Sequence, residues 1–326
     1  MNPLKLAHSV HKGLTNPNSQ RVFELHGEYK RQYPSSMREE WKRVRRSWFG
    51  KRNPLPKGVL WEPHCHTTCS DGELEPGELV DLMFESGIEA CSITDHGNQR
   101  AWNLLREGRW DKDGNYPLNE RTRRGVEYDI ILDTNGKCLT VYEPGGRSLF
   151  IPRSIEYMTE DGELCFHGVS EDFPVSSERM PLRGAIQAVK DLGGFAVINH
   201  VLLWEGIAWR RGEKAVEEAV EAGALGIEVN GAECWPQYHS SVAARHFARR
   251  YDLALIATGD AHKDYMFGRS GVAFPEDTFF EQIGNKTPPP EVMQEHLERG
   301  AYTTYLNYLN PFEFLEFFGF GISQQE

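Results

Sequence analysis

From residue 58 onward, short apolar runs alternate with segments whose apolar residues recur at helical spacing. Val59–His64 reads as a strand. Pro76–Ser86 reads as a helix with Leu79, Leu82 and Met83 on one face, Pro76 in its first turn and Gly87 ending it. Ala90–Thr94 is the next strand, apolar enough to be buried in a parallel sheet. The pattern continues through helix Leu182–Leu192, strand Phe195–Asn199, helix Glu213–Ala222, strand Leu225–Asn230, helix Tyr238–Tyr251 and strand Ala254–Thr258. Such alternation predicts an α/β fold built on a parallel sheet or barrel. Upstream, Val22, Phe23 and Leu25, then Trp41, Val44, Trp48 and Phe49, recur at helical spacing among charges, with Pro17 and Pro34 as breakers. Residues 1–57 are therefore read as a helical extension that ends in a turn-rich linker, Asn53 to Gly58. Residues 106–150, rich in Gly, Asn, Asp and Arg, are read as an insertion or lid, and residues 276–326 as a closing segment. The aromatic stretch Leu309–Phe320 within that segment is expected to pack on the body.

Composition narrows the class. Of 326 residues, 39% are hydrophobic and 26% charged, which suits one large folded core and not a disordered chain. No apolar run is long enough to span a bilayer and no signal-peptide pattern opens the chain, so a cytoplasmic location is expected. The six cysteines form no C-x-x-C pair and are read as free thiols; Cys65 and Cys69 stand among histidines without a zinc-site spacing. The net charge of −12 divides unevenly, +9 over residues 1–57 and −21 over the rest. A basic arm on an acidic body either docks on that body or binds nucleic acid or another polyanion.

The chemistry collects at strand ends. His64-Cys65-His66 closes one strand and puts two imidazoles on one side. Ser70-Asp71-Gly72 turns a carboxylate back towards them. Thr94-Asp95-His96-Gly97, Asn199-His200 and Gly259-Asp260-Ala261-His262 end three more strands. Five of twelve histidines fall at these four places. Each motif alone is weak; together they mark a metal site at the rim where loops converge in parallel α/β architectures.

These motifs, in this order, resemble those of the PHP (polymerase and histidinol phosphatase) superfamily over residues 58–275. The resemblance also calls for a glutamate after the third strand and a histidine about a dozen residues on. Glu156 followed by His167 fits this, and is preferred to the rival Glu127, which has no such follower. The resemblance implies a distorted seven-stranded (β/α) barrel, TIM-barrel-like, with two or three divalent metal ions. His64, His66, Glu156 and Asp260 would hold the first, Glu156 with His167 and His200 the second, and Asp71, His96 and His262 the third. Near the C-terminus, Leu297 to Tyr302 resembles the helix–glycine–strand ending of a PHP branch containing carbaryl-type hydrolases.

Imidazole and carboxylate donors suit Zn²⁺, Mn²⁺ or Fe²⁺, which activate water to hydroxide and neutralise phosphate oxygens. The expected activity is hydrolysis of a phosphoester, a phosphomonoester of a small molecule or nucleotide. The alternatives are a nuclease or phosphodiesterase acting on nucleic-acid ends through the arm, and a carboxyl-ester or carbamate hydrolase using the same metals. Asp95 is a candidate for orienting a ligand histidine, or for capping the next turn. Arg269 is the candidate phosphate clamp, with Lys263 and Arg153 less well placed. Trp204, Trp209 and Trp235 follow strand ends and either wall the pocket or simply pack. No membrane partner is expected.

Overall fold

The computed structural model describes residues 17–49, 54–233, 237–310, 313, 314, 316 and 317. Helices α1 (Pro17–Gln32) and α2 (Pro34–Trp48) come first. Pro34 keeps Tyr33 out of the helical region (φ −128°), which separates the two. Then come β1 (Val59–Cys65), α3 (Pro76–Ser86), β2 (Ala90–Ile93) and α4 (Arg100–Arg106). A capping box between Glu75 and Glu78 starts α3, and Gly87, left-handed at φ 73°, stops it. Next are α5 (Leu118–Arg121), β3 (Asp129–Leu132), β4 (Cys138–Tyr142), β5 (Ser148–Pro152), β6 (Ile155–Met158) and β7 (Glu163–His167). The chain continues through α6 (Leu182–Asp191), β8 (Phe195–Ile198), α7 (Ala208–Arg211), α8 (Glu213–Ala222), β9 (Gly226–Asn230) and α9 (His239–Tyr251). It closes with β10 (Ala254–Thr258), β11 (Gly271–Phe274), α10 (Glu276–Gly284), α11 (Pro289–Glu298) and β12 (Thr303–Tyr305).

The strands form two sheets, ordered β12-β11-β1-β2-β5-β4-β3 and β10-β9-β8-β7-β6. Single bridges seam them, Cys65 to Ala261 on one side and His96 to Glu156 on the other. Only Arg153 and Ser154 separate β5 from β6, so the chain crosses there from one sheet to the other. The fold is mixed α/β, and among the described residues no closed barrel of parallel strands is seen. The main departure is β7. Four residues, Thr159 to Gly162, join it to β6, too few for a crossover, so the pair must be antiparallel. β7 also runs antiparallel to β8.

Residues 106–150 carry regular structure. They hold α5, β3 and β4, and the antiparallel run β3-β4-β5 extends the first sheet. Tyr128, Leu139, Val141 and Leu149 are buried there.

The described helices of the N-terminal arm dock. Leu25, Met37 and Val44 are buried, and α1 and α2 pack on α9. Trp41 and Trp48 meet edge to face at 5.2 Å, and Trp41 lies 5.9 Å from Tyr238. Glu40, 1% exposed, accepts from Arg245 at 3.1 Å, from Arg43 and from the Tyr308 hydroxyl. At the other end, Phe279, Val292, Met293 and Leu297 of α10 and α11 join Trp61, Phe195 and Phe274 in a shared apolar cluster. Among the described residues no helix is long and apolar enough to cross a membrane.

Glu40→Ala would leave Arg245 and the Tyr308 hydroxyl without their buried acceptor, at a cost of about 1–3 kcal/mol. Urea unfolding of the whole chain should show a lower midpoint in one cooperative transition. An unchanged midpoint would mean the arm is not part of the folded unit.

Candidate metal centre

Strand register sets which side chains meet. The C-terminal ends of β1, β2, β8, β9 and β10 lie at one rim, with the end of β6 and the start of β7. His64 Nε2 lies 3.1 Å from His66 Nε2, 3.4 Å from Glu156 Oε1 and 3.4 Å from Asp260 Oδ1. His66 Nε2 is 3.3 Å from Asp260 Oδ1. Asp71 Oδ1 stands 3.3 Å from His262 Nε2 and 3.5 Å from His96 Nε2. His200 Nε2 is 3.1 Å from Glu156 Oε1, and His96 Nδ1 is 2.8 Å from Glu156 Oε2. The structure thus brings together His64, His66, Asp71, His96, Glu156, His200, Asp260 and His262. Glu127, the rival for Glu156, is exposed.

Neighbours fix these rings. His64 Nδ1 faces the Glu228 carboxylate at 2.8 Å, so that nitrogen carries an N–H and Nε2 is turned towards the cluster. His262 Nδ1 donates to the Asp260 carbonyl at 3.0 Å, with the same result for its Nε2. Asp95, 1% exposed, accepts from Thr67 N, Thr67 Oγ1 and Ser70 Oγ, each at 2.7 Å. Ser70 Oγ in turn lies 3.4 Å from His66 Nδ1. Asp95 therefore holds the loop that carries His66, and does not reach its chain neighbour His96 among these bonds. Gly72 lets that loop close, because a Cβ there would stand 2.4 Å from the His66 carbonyl. His200 (φ 24°) and Asp260 (φ 44°) both occupy the left-handed region, strain that clusters at functional sites.

His167 is not with the others. Because β7 runs antiparallel to β8, His167 pairs with Phe195 at the start of β8, whereas His200 follows the end of that strand. It sits 5.4 Å from the Trp61 ring and 5.2 Å from Phe195. Its place at the rim is taken by Glu163, the first residue of β7. Glu163 Oε1 lies 3.4 Å from His96 Nδ1 and Oε2 3.6 Å from His200 Nε2.

Arg269 also lies elsewhere than a clamp requires. Its Nη1 pairs with Glu313 at 2.6 Å and Nη2 donates to the Tyr308 carbonyl at 3.2 Å, tying the C-terminal segment down. Arg153 pairs with Asp172 at 2.6 Å and Lys263 with Glu73 at 3.0 Å. Trp204 is exposed on the loop after His200, and Trp209 is half-buried; Trp235 lies outside the described residues. Phe317 of the tail comes within 5.3 Å of the His262 ring. The thiols of Cys65 and Cys91 face each other at 3.1 Å, and Cys65 joins none of the donor groups.

The donor atoms fall into overlapping groups, each within 4.8 Å: His66, Asp71, His96 and His262; His64, His66 and Asp260; His64, Glu156 and Cys165; His96, Glu156 and Glu163. Two buried carboxylate oxygens, Glu156 Oε2 and Glu163 Oε2, make no hydrogen bond among the described residues. Imidazole and carboxylate donors around such oxygens fit a divalent cation.

Charge alternates through the cluster. Burial lowers His66 to about 4, helped by His262 and His96. At His200 burial works the same way, but Glu156 overrides it and the imidazole is pushed up to about 10. Glu156 and Asp260 would rise on burial, yet the His64 charge holds both well below the carboxylate range. Glu205 is pushed up to about 8 by burial and then by Glu163. Carboxylates so crowded need positive charge beside them, whether from protons on imidazoles or from cations.

Glu163, Cys165, Glu205 and Glu228 were not foreseen. Glu163 had a signal in Asp161-Gly162, a hairpin turn pair that makes β7 return from the rim.

No family model matches the chain, and no curated protein matches it. Among solved structures it is similar to a protein from Bifidobacterium adolescentis assigned as a metal-dependent phosphoesterase. Identity is 17% over 64% of this chain and 89% of that one, with a TM-score of 0.42. A two-domain protein from Bacteroides vulgatus containing a predicted PHP-like metal-dependent phosphoesterase gives 18% identity over 78% and 69% of the two chains, with a TM-score of 0.49. The lesion-specific endonuclease EndoQ from Pyrococcus furiosus gives 12% over 78% and 60%, with a TM-score of 0.49. Overlaps of this size leave activity to be argued from the side chains.

His167 supplies a stability test. Burial, and next the His64 charge, lower it from 6.5 to about 3. The unfolded chain therefore takes up a proton, as pH falls through 6.5, that the folded chain refuses. Stability is full above that pH and falls by about 1.4 kcal/mol per unit towards the folded value. His167→Leu should lose less stability than wild type between pH 7.5 and 5.5 in urea titrations. An equal loss in both would contradict this burial.

Proposed function

We propose that the chain is a metal-dependent phosphoester hydrolase of the PHP type. Its two sheets would form the wall of a distorted barrel: β1, β2, the β5–β6 crossing, β7, β8, β9 and β10, with the site on the rim. The observation that carries this reading is the meeting of eight imidazoles and carboxylates beside buried, unbonded carboxylate oxygens. His64, His66, Asp71, His96, Glu156, His200, Asp260 and His262 would hold two or three divalent ions, Zn, Mn or Fe. Bound cations supply Lewis acidity towards phosphoryl oxygens and lower the pKa of water.

The remaining residues position and enclose. Glu228, and Asp95 through Ser70, hold His64 and His66 with Nε2 turned inward. Asn230 Nδ2 donates to Asp260 Oδ2 at 2.9 Å and fixes that carboxylate. Phe317, 5.3 Å from the His262 ring, would stand at the mouth and limit access to it. Cys165 and Cys69 are poor nucleophiles: burial pushes the Cys165 thiol up to about 12 and Cys69 to about 11.

A nuclease reading keeps one observation in its favour: Arg38, Lys42, Arg43, Arg45 and Arg46 are exposed on α2. Trp41 and Trp48, however, pack inward and are not laid out for stacking on bases.

The test is a panel of p-nitrophenyl phosphate, bis-p-nitrophenyl phosphate and p-nitrophenyl acetate, with Mn²⁺ or Zn²⁺ added to chelator-treated protein. Metal-dependent turnover of a phosphate ester is expected, faster than of the acetate. His64→Ala with Asp260→Ala should lower it by roughly a thousandfold with circular dichroism unchanged. Near wild-type turnover in the double variant would contradict the assignment. Preference for the diester would favour the nuclease reading.

A further inference from the structure

We propose that Glu163, and not His167, completes a carboxylate-rich cation position with Glu156 and His200, and that this position takes Mn²⁺ or Fe²⁺ in preference to Zn²⁺. The inference rests on the metal-centre reading above and adds a ligand to it.

Both carboxylates are almost wholly buried, Glu156 at 1% exposure and Glu163 at 4%. Each leaves one oxygen without a hydrogen bond among the described residues, although His96 Nδ1 is 2.8 Å from Glu156 Oε2 and His200 Nε2 is 3.6 Å from Glu163 Oε2. Glu156 Oε1 and Glu163 Oε2 flank the same nitrogen, His200 Nε2, at 3.1 and 3.6 Å. Two carboxylates facing one imidazole out of water are costly unless a cation lies among them. The backbone holds Glu163 in this place: its N donates to the Glu205 carbonyl at 2.8 Å, and it bridges to Gly206 in the loop after His200. Gly206 permits that approach, since a Cβ there would stand 2.4 Å from the His200 carbonyl.

The donors differ from those of the neighbouring groups. His64, His66 and Asp260 offer two nitrogens and one oxygen, and His66, Asp71, His96 and His262 offer three nitrogens and one oxygen. Glu156 and Glu163 form their donor group with His96, and His200 Nε2 stands 3.1 and 3.6 Å from the same two carboxylates. Two oxygens with one nitrogen are the harder set, which shifts preference from Zn²⁺ towards Mn²⁺ and Fe²⁺. The rim would then carry positions of unlike preference, filled by different metals.

The full-length chain would be stripped with chelator and dialysed to equilibrium against Mn²⁺ alone or Zn²⁺ alone. Bound metal per chain would be read by inductively coupled plasma mass spectrometry, with circular dichroism as the check on folding. Glu163→Gln should bind one Mn²⁺ fewer than wild type, and His167→Gln the same number as wild type. Glu163→His should restore the count and shift it towards Zn²⁺. If His167→Gln loses an equivalent and Glu163→Gln loses none, Glu163 is not the ligand while the metal-centre reading stands. If wild type itself binds neither metal, both fail.

Discussion

Carboxylates and imidazoles buried together at the rim of two sheets are the constraint from which the rest follows. Glu156, Asp260 and Glu163 cannot all be ionised out of water without positive charge beside them, and His64, His96, His200 and His262 surround them. The sheets exist, in this respect, to bring strand ends from residues 64 to 262 within a few ångströms. Strain at His200 and Asp260, and the glycine at position 72, are local costs of that convergence. The apolar clusters behind the strands offset them.

A second tier of polar residues gives the cluster its direction. Glu228 behind His64, Ser70 and Asp95 behind His66, and the Asp260 carbonyl behind His262 each claim a ring Nδ1. Each leaves Nε2 facing inward, so the donor array is preformed. Substrate binding need not build it. The C-terminal segment takes part as well: Arg269 with Glu313 anchors the tail that brings Phe317 to His262.

Much of this was legible in the sequence because two independent signals coincided. Apolar runs alternating with helical stripes placed the strands, and histidines and aspartates stood at their ends; Pro76–Ser86, Glu213–Ala222 and Ala254–Thr258 match the observed elements end to end. His167 was placed by the resemblance and its distance from Glu156, and the structure does not bring it to the others. The hairpin at Asp161-Gly162 reverses β7 and sends that residue away from the rim, and gives Glu163 the place. The strands within residues 106–150 were hidden by their turn-rich composition, although Asn135-Gly136 and Gly145-Gly146 mark where they fold back. Arg269 was misread because its partner Glu313 lies 44 residues further on, and no local pattern reveals such a pairing. The arm left two readings open in its charge; Glu40, Val44 and Trp41 show that it packs on α9 and the chain around it.

The central claim is that these side chains converge to hold cations. Crystals grown without chelator and soaked in Mn²⁺, measured at the manganese absorption edge, test it most directly. Anomalous difference peaks should lie among His64, His66, Glu156 and Asp260 and beside His200, within coordination distance of their inward-facing atoms. Well-ordered side chains there with no anomalous density, or peaks only at surface acids, would contradict the account.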